Sequence, residues 1–319
     1  MNRRNFTLAL AATTFGAGAL AQVTRPIRIV VPFPAGGSTD VIAREIGDAM
    51  ARNLGVVITV ENRAGAGGSI GAGEVARAAP DGLTLGLATQ STHAVNPVVY
   101  KKLTYDPLKN FSIIGEIGQA PGVLLVKDSP QTKDFAAFVK HVRAKGGQAF
   151  YGSPGNGTIG HVWGEQFKQA AGVQMQHVPY KGASQLMTDL QGGLIDATFT
   201  TVTSSLSFIE SGNFRALAVS WPKRLPMLPD VPTYAEAGLP SNNEPTWFGL
   251  VGPAGMSDAV LQPLRQAMAK ALQSEALQKK YLGQAVFVSN RNADEFREVI
   301  RRDTERTREI ARIAKISLD

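Results

Sequence analysis

Three glycine-rich turns, each after an apolar run and before a helical pattern, carry the residues of this sequence that are best placed for chemistry. They lie at Ala35–Asp40, Ala64–Ile70 and Ser153–Thr158. A strand, a glycine turn and a helix in succession place free backbone N–H groups and the positive end of the helix dipole at the carboxyl end of a sheet. Each turn can therefore bind an anion, either a phosphate or a carboxylate, without a catalytic group.

The third turn raises a dinucleotide site as an alternative, because Gly155, Gly157 and Gly160 form the pattern G-x-G-x-x-G. Such a site also needs an acidic residue about 20 positions further on, at the end of the next strand, to bind a ribose hydroxyl. The corresponding stretch, VQMQHVPYKGA (173–183), has no Asp or Glu, and Pro154 precedes the first glycine. The pattern therefore disfavours a dinucleotide, and no cofactor is expected.

Short hydrogen-bonding side chains flank the glycines and follow neighbouring strands. Neutral donors suit an oxyanion, and α/β proteins bind ligands beyond the carboxyl ends of their strands. We therefore predict one site with contributions from both halves of the chain. Its hydroxyl and amide residues are Ser38, Thr39, Thr89, Ser91, Ser153, Asn156, Thr158, Thr200 and Thr203. Capping a helix is the alternative role for each hydroxyl, and Asp40 is a candidate whose alternative role is to satisfy backbone N–H groups.

The motifs of common hydrolases are missing from the sequence. The chain has no cysteine, which excludes disulfides, thiolate metal sites and a cysteine nucleophile. It has no G-x-S-x-G elbow, and its histidines lack the spacing of a zinc pair. Of these histidines, His161 and His177 are interpreted as packing residues. No catalytic residue and no metal site are predicted, and a secreted α/β enzyme acting on a small anionic substrate stays as the alternative.

The elements that position these residues alternate between strand and helix. The run IRIVVPF (27–33) is apolar almost throughout, as in a strand buried on both faces, and residues 41–54 have helical spacing. The same alternation repeats along the chain, which predicts parallel α/β sheets.

Two α/β halves and a final group of helices predict a discontinuous domain. The final helices need a surface to pack on, and the first half is the natural one. We therefore predict domain 1 at residues 22–121 plus 249–319 and domain 2 at 122–248. Two crossings, near Pro121 and Trp247, would connect the domains and leave a hinged cleft between them.

The N-terminal segment has the pattern of an export signal. Arg3 and Arg4 precede the apolar stretch Phe6–Leu20, and Ala19–Ala21 fits a cleavage site. The letters RRNF also resemble a short twin-arginine signal. We expect a signal peptide at residues 1–21 and an exported, periplasmic mature protein.

The positive charge of the sequence does not point to nucleic acid. The formal net charge is +7, but the densest basic run, near the C-terminus, is mixed with acidic residues at helical spacing. This mixture indicates a solvated helix face, and no nucleic-acid partner is expected.

Taken in order, several long stretches resemble the periplasmic solute-binding proteins of tripartite tricarboxylate transporters, the Bug-type receptors. They include PIRIVVPFPAGGSTDVIAR, VENRAGAGGSIGAGEVARAAPDG, YGSPGNGTIGHVWGE, HVPYKGASQLMTDLQGG and WFGLVGPAGMS, and they run over essentially the whole mature chain. The resemblance implies a two-lobed α/β fold of the type II periplasmic-binding-protein, or Venus-flytrap, class with two crossover hinges. It also implies that the protein is not an enzyme.

The resemblance further implies that two loops pinch a ligand carboxylate between the lobes. By position these loops are Phe33–Asp40 and Ser153–Thr158, which adds Phe33, Ala35, Gly36, Gly37, Gly155 and Gly157 to the predicted ligand-binding residues. Replacing Ser153 or Thr39 with alanine is then expected to weaken acid binding and leave the fold intact.

The implied ligand is an organic carboxylate, and the implied partner is a membrane permease with one large and one small subunit. The stretch TTVTSS (200–205) has no acidic residue that would pair with an ammonium group. A di- or tricarboxylate or an aromatic acid is therefore favoured over an amino acid. The protein is expected to act as a monomer, and a ligand sensor for a membrane kinase is an alternative with the same fold.

Overall fold

A computed structural model describes residues 25–289 and 291–318, in which strands and helices alternate. The strands are β1 (Ile27–Val31), β2 (Ile58–Asn62), β3 (Thr84–Thr89), β4 (Phe111–Ala120), β5 (Gly122–Lys127), β6 (Ala149–Ser153), β7 (Met175–Pro179), β8 (Ala197–Thr201), β9 (Phe214–Val219), β10 (Thr246–Pro253) and β11 (Phe287–Val288). The helices are α1 (Ser38–Leu54), α2 (Ser69–Ala76), α3 (Asn96–Val99), α4 (Phe135–Ala144), α5 (Ile159–Ala171), α6 (Ala183–Gly192), α7 (Val202–Glu210), α8 (Asp258–Leu272), α9 (Glu275–Gly283) and α10 (Ala293–Ala314). The expected signal peptide lies outside the described residues.

The strands form two mixed sheets, one in each lobe. The first has the order β11-β4-β10-β3-β1-β2 and the second the order β7-β6-β8-β5-β9. Neighbours β1, β2 and β3 are parallel, as are β6, β7 and β8, which agrees with the prediction. The predicted parallel arrangement does not extend to β10, which is antiparallel to β3 and β4, or to β5, which is antiparallel to β8 and β9. Each of these two strands follows a crossing from the other lobe and is not preceded by the α-helix that reverses direction in a βαβ unit.

The chain crosses between the sheets twice. Strand β4 ends at Ala120, and β5 begins in the other sheet after Pro121 alone. The return lies between Val219 and Thr246, through an irregular segment. Thr246 pairs with Ala120, so residues 246–248 belong to the first sheet and not, as the sequence predicts, to domain 2. The remaining domain boundaries stay a prediction.

Helices cover both faces of each sheet. Because successive side chains of a strand point to opposite faces, Ile29 packs under α1 and α8, whereas Val30 packs towards α2 and α10. In the second sheet Leu124 lies in a cluster with α4 and α5, and Leu125 lies in a cluster with α6. This two-sided packing lets α1, α5 and α7 begin at the edges of the two sheets that face each other.

Helix α10 has the features that its sequence predicts. Asn292 accepts hydrogen bonds from the N–H groups of Asp294 and Glu295, and the Glu295 carboxylate accepts one from the Asn292 N–H, which caps the N-terminus. The outer face carries ion pairs such as Arg301–Glu298, as a solvated helix face should. Within residues 25–289 and 291–318, no helix combines the length and the apolar character needed to cross a membrane.

Candidate functional site

A cavity of about 480 Å³ lies between the lobes, where strand ends and helix N-termini from both sheets meet. Most of the predicted site residues are part of its wall. They are Phe33, Ala35, Gly36, Gly37, Ser38, Thr39, Thr89, Ser91, Thr158, Thr200 and Thr203. The predicted residues that do not line it are Asp40, Ser153, Gly155, Asn156 and Gly157. Contact of any of these residues with a ligand stays a prediction.

The first-lobe wall is built around the N-terminus of α1. The N–H groups of Gly37, Ser38 and Thr39 have no hydrogen-bond acceptor among the described residues. The hydroxyls of Ser38 and Thr39 likewise have no partner within that part of the chain, and Thr39 is buried. These donors and the positive end of the helix dipole therefore face the cavity together, which favours an anion.

Asp40 lies behind this wall and holds its shape. Its carboxylate accepts a hydrogen bond of 3.0 Å from the Gly36 N–H and pairs with Arg44 at 2.9 Å. Burial raises the pKa of Asp40, but the hydrogen bonds from Arg44, Gly36 and Asn62 outweigh this effect, and the pKa lies below its ordinary value. Asp40 thus satisfies a loop N–H group, which is the alternative role expected from the sequence.

The second-lobe wall is built around the N-terminus of α5. The Gly160 N–H has no acceptor among the described residues. The Ile159 N–H donates to Ser91 Oγ of the first lobe at 2.9 Å, so one hydrogen bond already spans the two lobes. The Thr158 hydroxyl donates to the Gly155 carbonyl at 2.7 Å, which holds the loop that precedes α5. Ser91 still has its own O–H proton to donate.

Ser153 shapes this loop from behind the cavity. Its Oγ is 2.7 Å from His177 Nε2 and 3.1 Å from the Gly155 carbonyl oxygen, and the residue is fully buried. The rings of His177 and His161 stack with their centroids 3.9 Å apart. The two histidines are therefore packing residues, as interpreted from the sequence, and Ser153→Ala would act on the loop without removing a group from the cavity wall.

Helix α7 brings a third N-terminus to the cavity. Thr201 caps it by accepting a hydrogen bond from the Ser204 N–H. The Thr203 N–H has no acceptor in the described part of the chain, and its Oγ1 is buried without a partner there. A buried hydroxyl without a partner is costly, so a hydrogen-bonding group in the cavity would stabilise this wall.

Sequence reasoning missed Lys181 and the apolar part of the wall. Lys181 follows strand β7, and it is the only charged side chain among the described lining residues. The adjacent Gly182 approaches Pro34 of the other lobe, so this turn lies close to the first wall. A search for all polar side chains just after strands, and not for hydroxyls alone, would have included Lys181. The aromatic side chains of Trp163, Phe199, Phe208 and Phe248 have the same spacing as core residues and gave no signal.

The charges of the site favour an anion and provide no metal ligands. No Asp or Glu lines the cavity among the described residues. No group of three His, Asp or Glu side chains that could hold a metal ion is found in residues 25–289 and 291–318. The arrangement of backbone N–H groups, hydroxyls and one ammonium group can bind an oxyanion.

The buried histidines predict that acid destabilises the fold. Burial, with smaller contributions from His161 and Lys168, lowers the pKa of His177 from 6.5 to about 3, and burial lowers the pKa of His93 to about 3. The unfolded chain takes up these protons below about pH 6.5, whereas the folded chain does not. The contribution of these histidines to the unfolding free energy is therefore fully present above about pH 6.5. It falls as the pH drops towards about 3, by up to about 1.4 kcal/mol per pH unit for each histidine.

Urea unfolding at several pH values tests this expectation. We expect His177→Gln to reduce the fall in unfolding free energy between about pH 6.5 and pH 4 relative to the unsubstituted protein. Above about pH 7.5 the two proteins should show the same pH dependence, which serves as the internal control. An unchanged slope in the acid range would contradict the assignment of His177 as a neutral buried group.

The comparisons with known proteins point to one family. Residues 42–318 match TctC, the tripartite tricarboxylate transporter family receptor. BugT of Bordetella pertussis is 34% identical over 261 residues, which are 82% of this chain and 80% of that protein.

Solved structures extend the likeness to the fold. A periplasmic transporter structure is 40% identical with a TM-score of 0.89, covering 94% of this chain and 100% of the other. A protein of R. palustris solved with adipate is 32% identical with a TM-score of 0.88, covering 92% and 99%. MatC from Rhodopseudomonas palustris, solved with bound malate, is 28% identical with a TM-score of 0.85, covering 90% and 99%. The fold is that of a two-lobed periplasmic binding protein, and the family consists of transporter receptors that are not enzymes. The chain therefore belongs to the tripartite tricarboxylate transporter receptor family, TctC, which includes the Bug proteins.

Proposed function

We propose that this protein captures an organic acid with at least two carboxylates in the cleft and delivers it to a tripartite tricarboxylate-type membrane transporter. The observation that carries the proposal is the meeting of three helix N-termini at one cavity without an acidic lining side chain among the described residues. Adipate and malate in the related R. palustris structures support this class of ligand.

One carboxylate is bound between α1 and α5. The N–H groups of Gly37, Ser38 and Thr39 donate from the first lobe, and the Gly160 N–H donates from the second. The Ser91 hydroxyl accepts from Ile159 and donates its own proton to the same carboxylate. Because both lobes contribute donors, the bound carboxylate stabilises the closed arrangement.

A second carboxylate lies towards Lys181 and the N-terminus of α7. The Lys181 ammonium group supplies a positive charge, and Thr203 supplies an N–H and a hydroxyl that have no other partner among the described residues. Trp163 and Phe199, which also line the cavity, offer apolar surface to the carbon chain of the acid. A cavity of about 480 Å³ is within the range of small-molecule sites.

Export and transport complete the proposal. The signal peptide at residues 1–21, with a Sec or twin-arginine route, places the mature protein in the periplasm as a monomer that docks on one large and one small membrane subunit. Signalling to a membrane kinase is the second candidate. Growth on the bound acid as sole carbon source, with and without the gene for this chain, separates the two: loss of uptake supports transport.

A panel of organic acids in thermal-shift and calorimetric measurements tests the ligand class. We expect a dicarboxylate to raise the melting temperature of the protein and to bind without turnover. A protein that responds to no acid of the panel, or that converts the acid, contradicts the proposal.

Thr39→Ala is the matched test of the first wall. Loss of its free hydroxyl should weaken binding of the selected acid about fivefold and leave the unfolding free energy nearly unchanged, since this hydroxyl has no protein partner among the described residues. Thr59→Ala, on the exposed side of β2, is the control and should bind as the unsubstituted protein does. Equal affinity for Thr39→Ala, measured by calorimetry, would remove Thr39 from the site.

A further inference from the structure

The loop that precedes α5 contacts the first lobe on the side away from the cavity as well. The Tyr100 hydroxyl, which follows α3, donates to the Asn156 carbonyl at 3.3 Å. Gly67, from the second glycine-rich turn, and Gly157 also lie at this contact. The sequence singled out the turn at residues 64–70 as an anion site, but it lies outside the cavity wall and contacts the loop of the other lobe instead.

Two of these residues have to be glycine for the lobes to approach this closely. A Cβ atom at Gly67 would lie 2.7 Å from the Asn156 carbonyl oxygen, and one at Gly157 would lie 2.7 Å from Tyr100 Cε2. Both glycines have positive φ angles, of 61° and 71°. Any larger residue at position 67 or 157 therefore pushes the second-lobe loop away from the first lobe.

Asn96 gives the contact a buried polar centre. Its side chain is fully buried, and Nδ2 donates to the Gly67 carbonyl at 3.1 Å. Its Oδ1 has no partner in the described part of the chain and lies 3.2 Å from the place where a Gly157 Cβ would be. A buried acceptor without a donor is costly, so one water molecule that bridges Asn96 Oδ1 to the second-lobe loop would stabilise this centre.

The C-terminal segment braces Tyr100. The Leu318 N–H donates to the Val99 carbonyl at 2.7 Å, and the Leu318 carbonyl accepts from the Lys101 N–H at 3.0 Å. These two bonds hold the backbone on both sides of Tyr100. Its hydroxyl is therefore positioned by the first lobe before the loop of the second lobe arrives.

We propose that Gly67, Asn96 and Tyr100 form a closure latch that receives Asn156 and Gly157 of the second lobe. The latch holds the loop from behind while Ser91 holds Ile159 from the cavity side. The α5 N-terminus is thereby kept at the distance at which its N–H groups reach a ligand bound to α1. This inference rests on the proposed function for the ligand, but its effect on the lobes does not require one.

The distance between the lobes tests the latch directly. The chain has no cysteine, so Arg52→Cys and Gln191→Cys provide two unique sites for spin labels. Both positions are exposed and lie near the far ends of helices that begin at the cavity, α1 and α6. Without ligand, Gly67→Ala should shift the distance distribution to longer values. Tyr100→Phe should shift it in the same direction by a smaller amount.

Adipate is the ligand probe. Its dissociation constant should rise about fivefold in Tyr100→Phe, as expected for the loss of one hydrogen bond that is made only in the closed form, and by more in Gly67→Ala. Gly255→Ala is the matched control, because Gly255 also has a positive φ angle, of 84°, but open space around its Cβ position, and it lies outside the labelled helices. This control should change neither the distances nor the affinity.

The two proposals fail in different ways. Unchanged distances in Gly67→Ala and Tyr100→Phe without ligand overturn the latch, whatever adipate does. Shifted distances in the ligand-free variants, together with an unsubstituted protein that responds neither to adipate nor to the rest of the acid panel, support the latch and contradict the proposed ligand class.

Discussion

Lys181→Met is expected to weaken the binding of a dicarboxylate tenfold or more. Lys181 is the only charged side chain among the described lining residues, and in the proposed binding mode the N-termini of α1 and α5 supply N–H donors to the first carboxylate. A hydrogen bond to a charged group contributes about 1.5–3 kcal/mol, which corresponds to a factor of roughly 10 to 150 in affinity. Because Lys181 is exposed to solvent, the lower part of this range applies.

Calorimetry with a matched pair of acids isolates the effect. Adipate and hexanoate have the same number of carbons, and the second lacks one carboxylate. Binding of hexanoate should change little in Lys181→Met, and Lys181→Arg should retain most of the affinity for adipate. Lys279→Met, an exposed lysine on α9, is the control for the loss of one surface charge. An equal loss for both acids would show that Lys181 acts on the fold of the loop and not on the second carboxylate.

Phe296→Ala is expected to lower the unfolding free energy by about 3–5 kcal/mol, the usual range for a fully buried phenylalanine. The Phe296 ring has no exposed surface and fills the space above Gly249, where a Cβ would lie 2.2 Å from Phe296 Cε1. It also contacts the Trp247 ring edge-on, with centroids 4.9 Å apart. A glycine in the middle of β10 leaves no side chain that can move into the cavity the substitution creates.

Urea unfolding measures this loss, and Ile313→Ala on the same helix is the control. Ile313 is 51% exposed, so its truncation should cost well under 1 kcal/mol. The expectation is wrong if the two variants lose similar amounts. Acid binding by Phe296→Ala, measured well below its melting temperature, should change less than its stability, because Phe296 does not line the cavity.

The sequence predicts the cavity wall wherever local rules decide the geometry. A glycine turn between a strand and a helix sets the direction of backbone N–H groups within a few residues, so the positions of Gly37, Ser38 and Thr39 follow from pattern alone. The same rule places Thr158 on the wall, whereas Thr203 follows from the separate rule that hydroxyls just after strands face a ligand. These residues could be predicted because their positions depend only on the strand, turn and helix in which they lie.

Contacts between lobes could not be predicted in this way. The Ile159–Ser91 bond joins residues 68 positions apart, and the Tyr100–Asn156 bond joins residues 56 apart, so neither leaves a spacing to detect. The direction of β5 and β10 depends on where the crossings enter each sheet. The displacement of Asn156 from the cavity to the latch depends on how the two lobes face each other.

The hydrogen bond from the Ile159 N–H to Ser91 Oγ affects how receptors compete for the membrane subunits. It joins two protein groups and involves no ligand atom, so it favours the closed outline of the receptor whether or not an acid is bound. If the membrane subunits recognise that outline, empty receptors compete with loaded ones for the same docking site. The free energy of the contacts that close the lobes without ligand then determines how often an empty receptor occupies the docking site. Weakening these contacts would make such docking rarer, but it would also lower the affinity for the ligand.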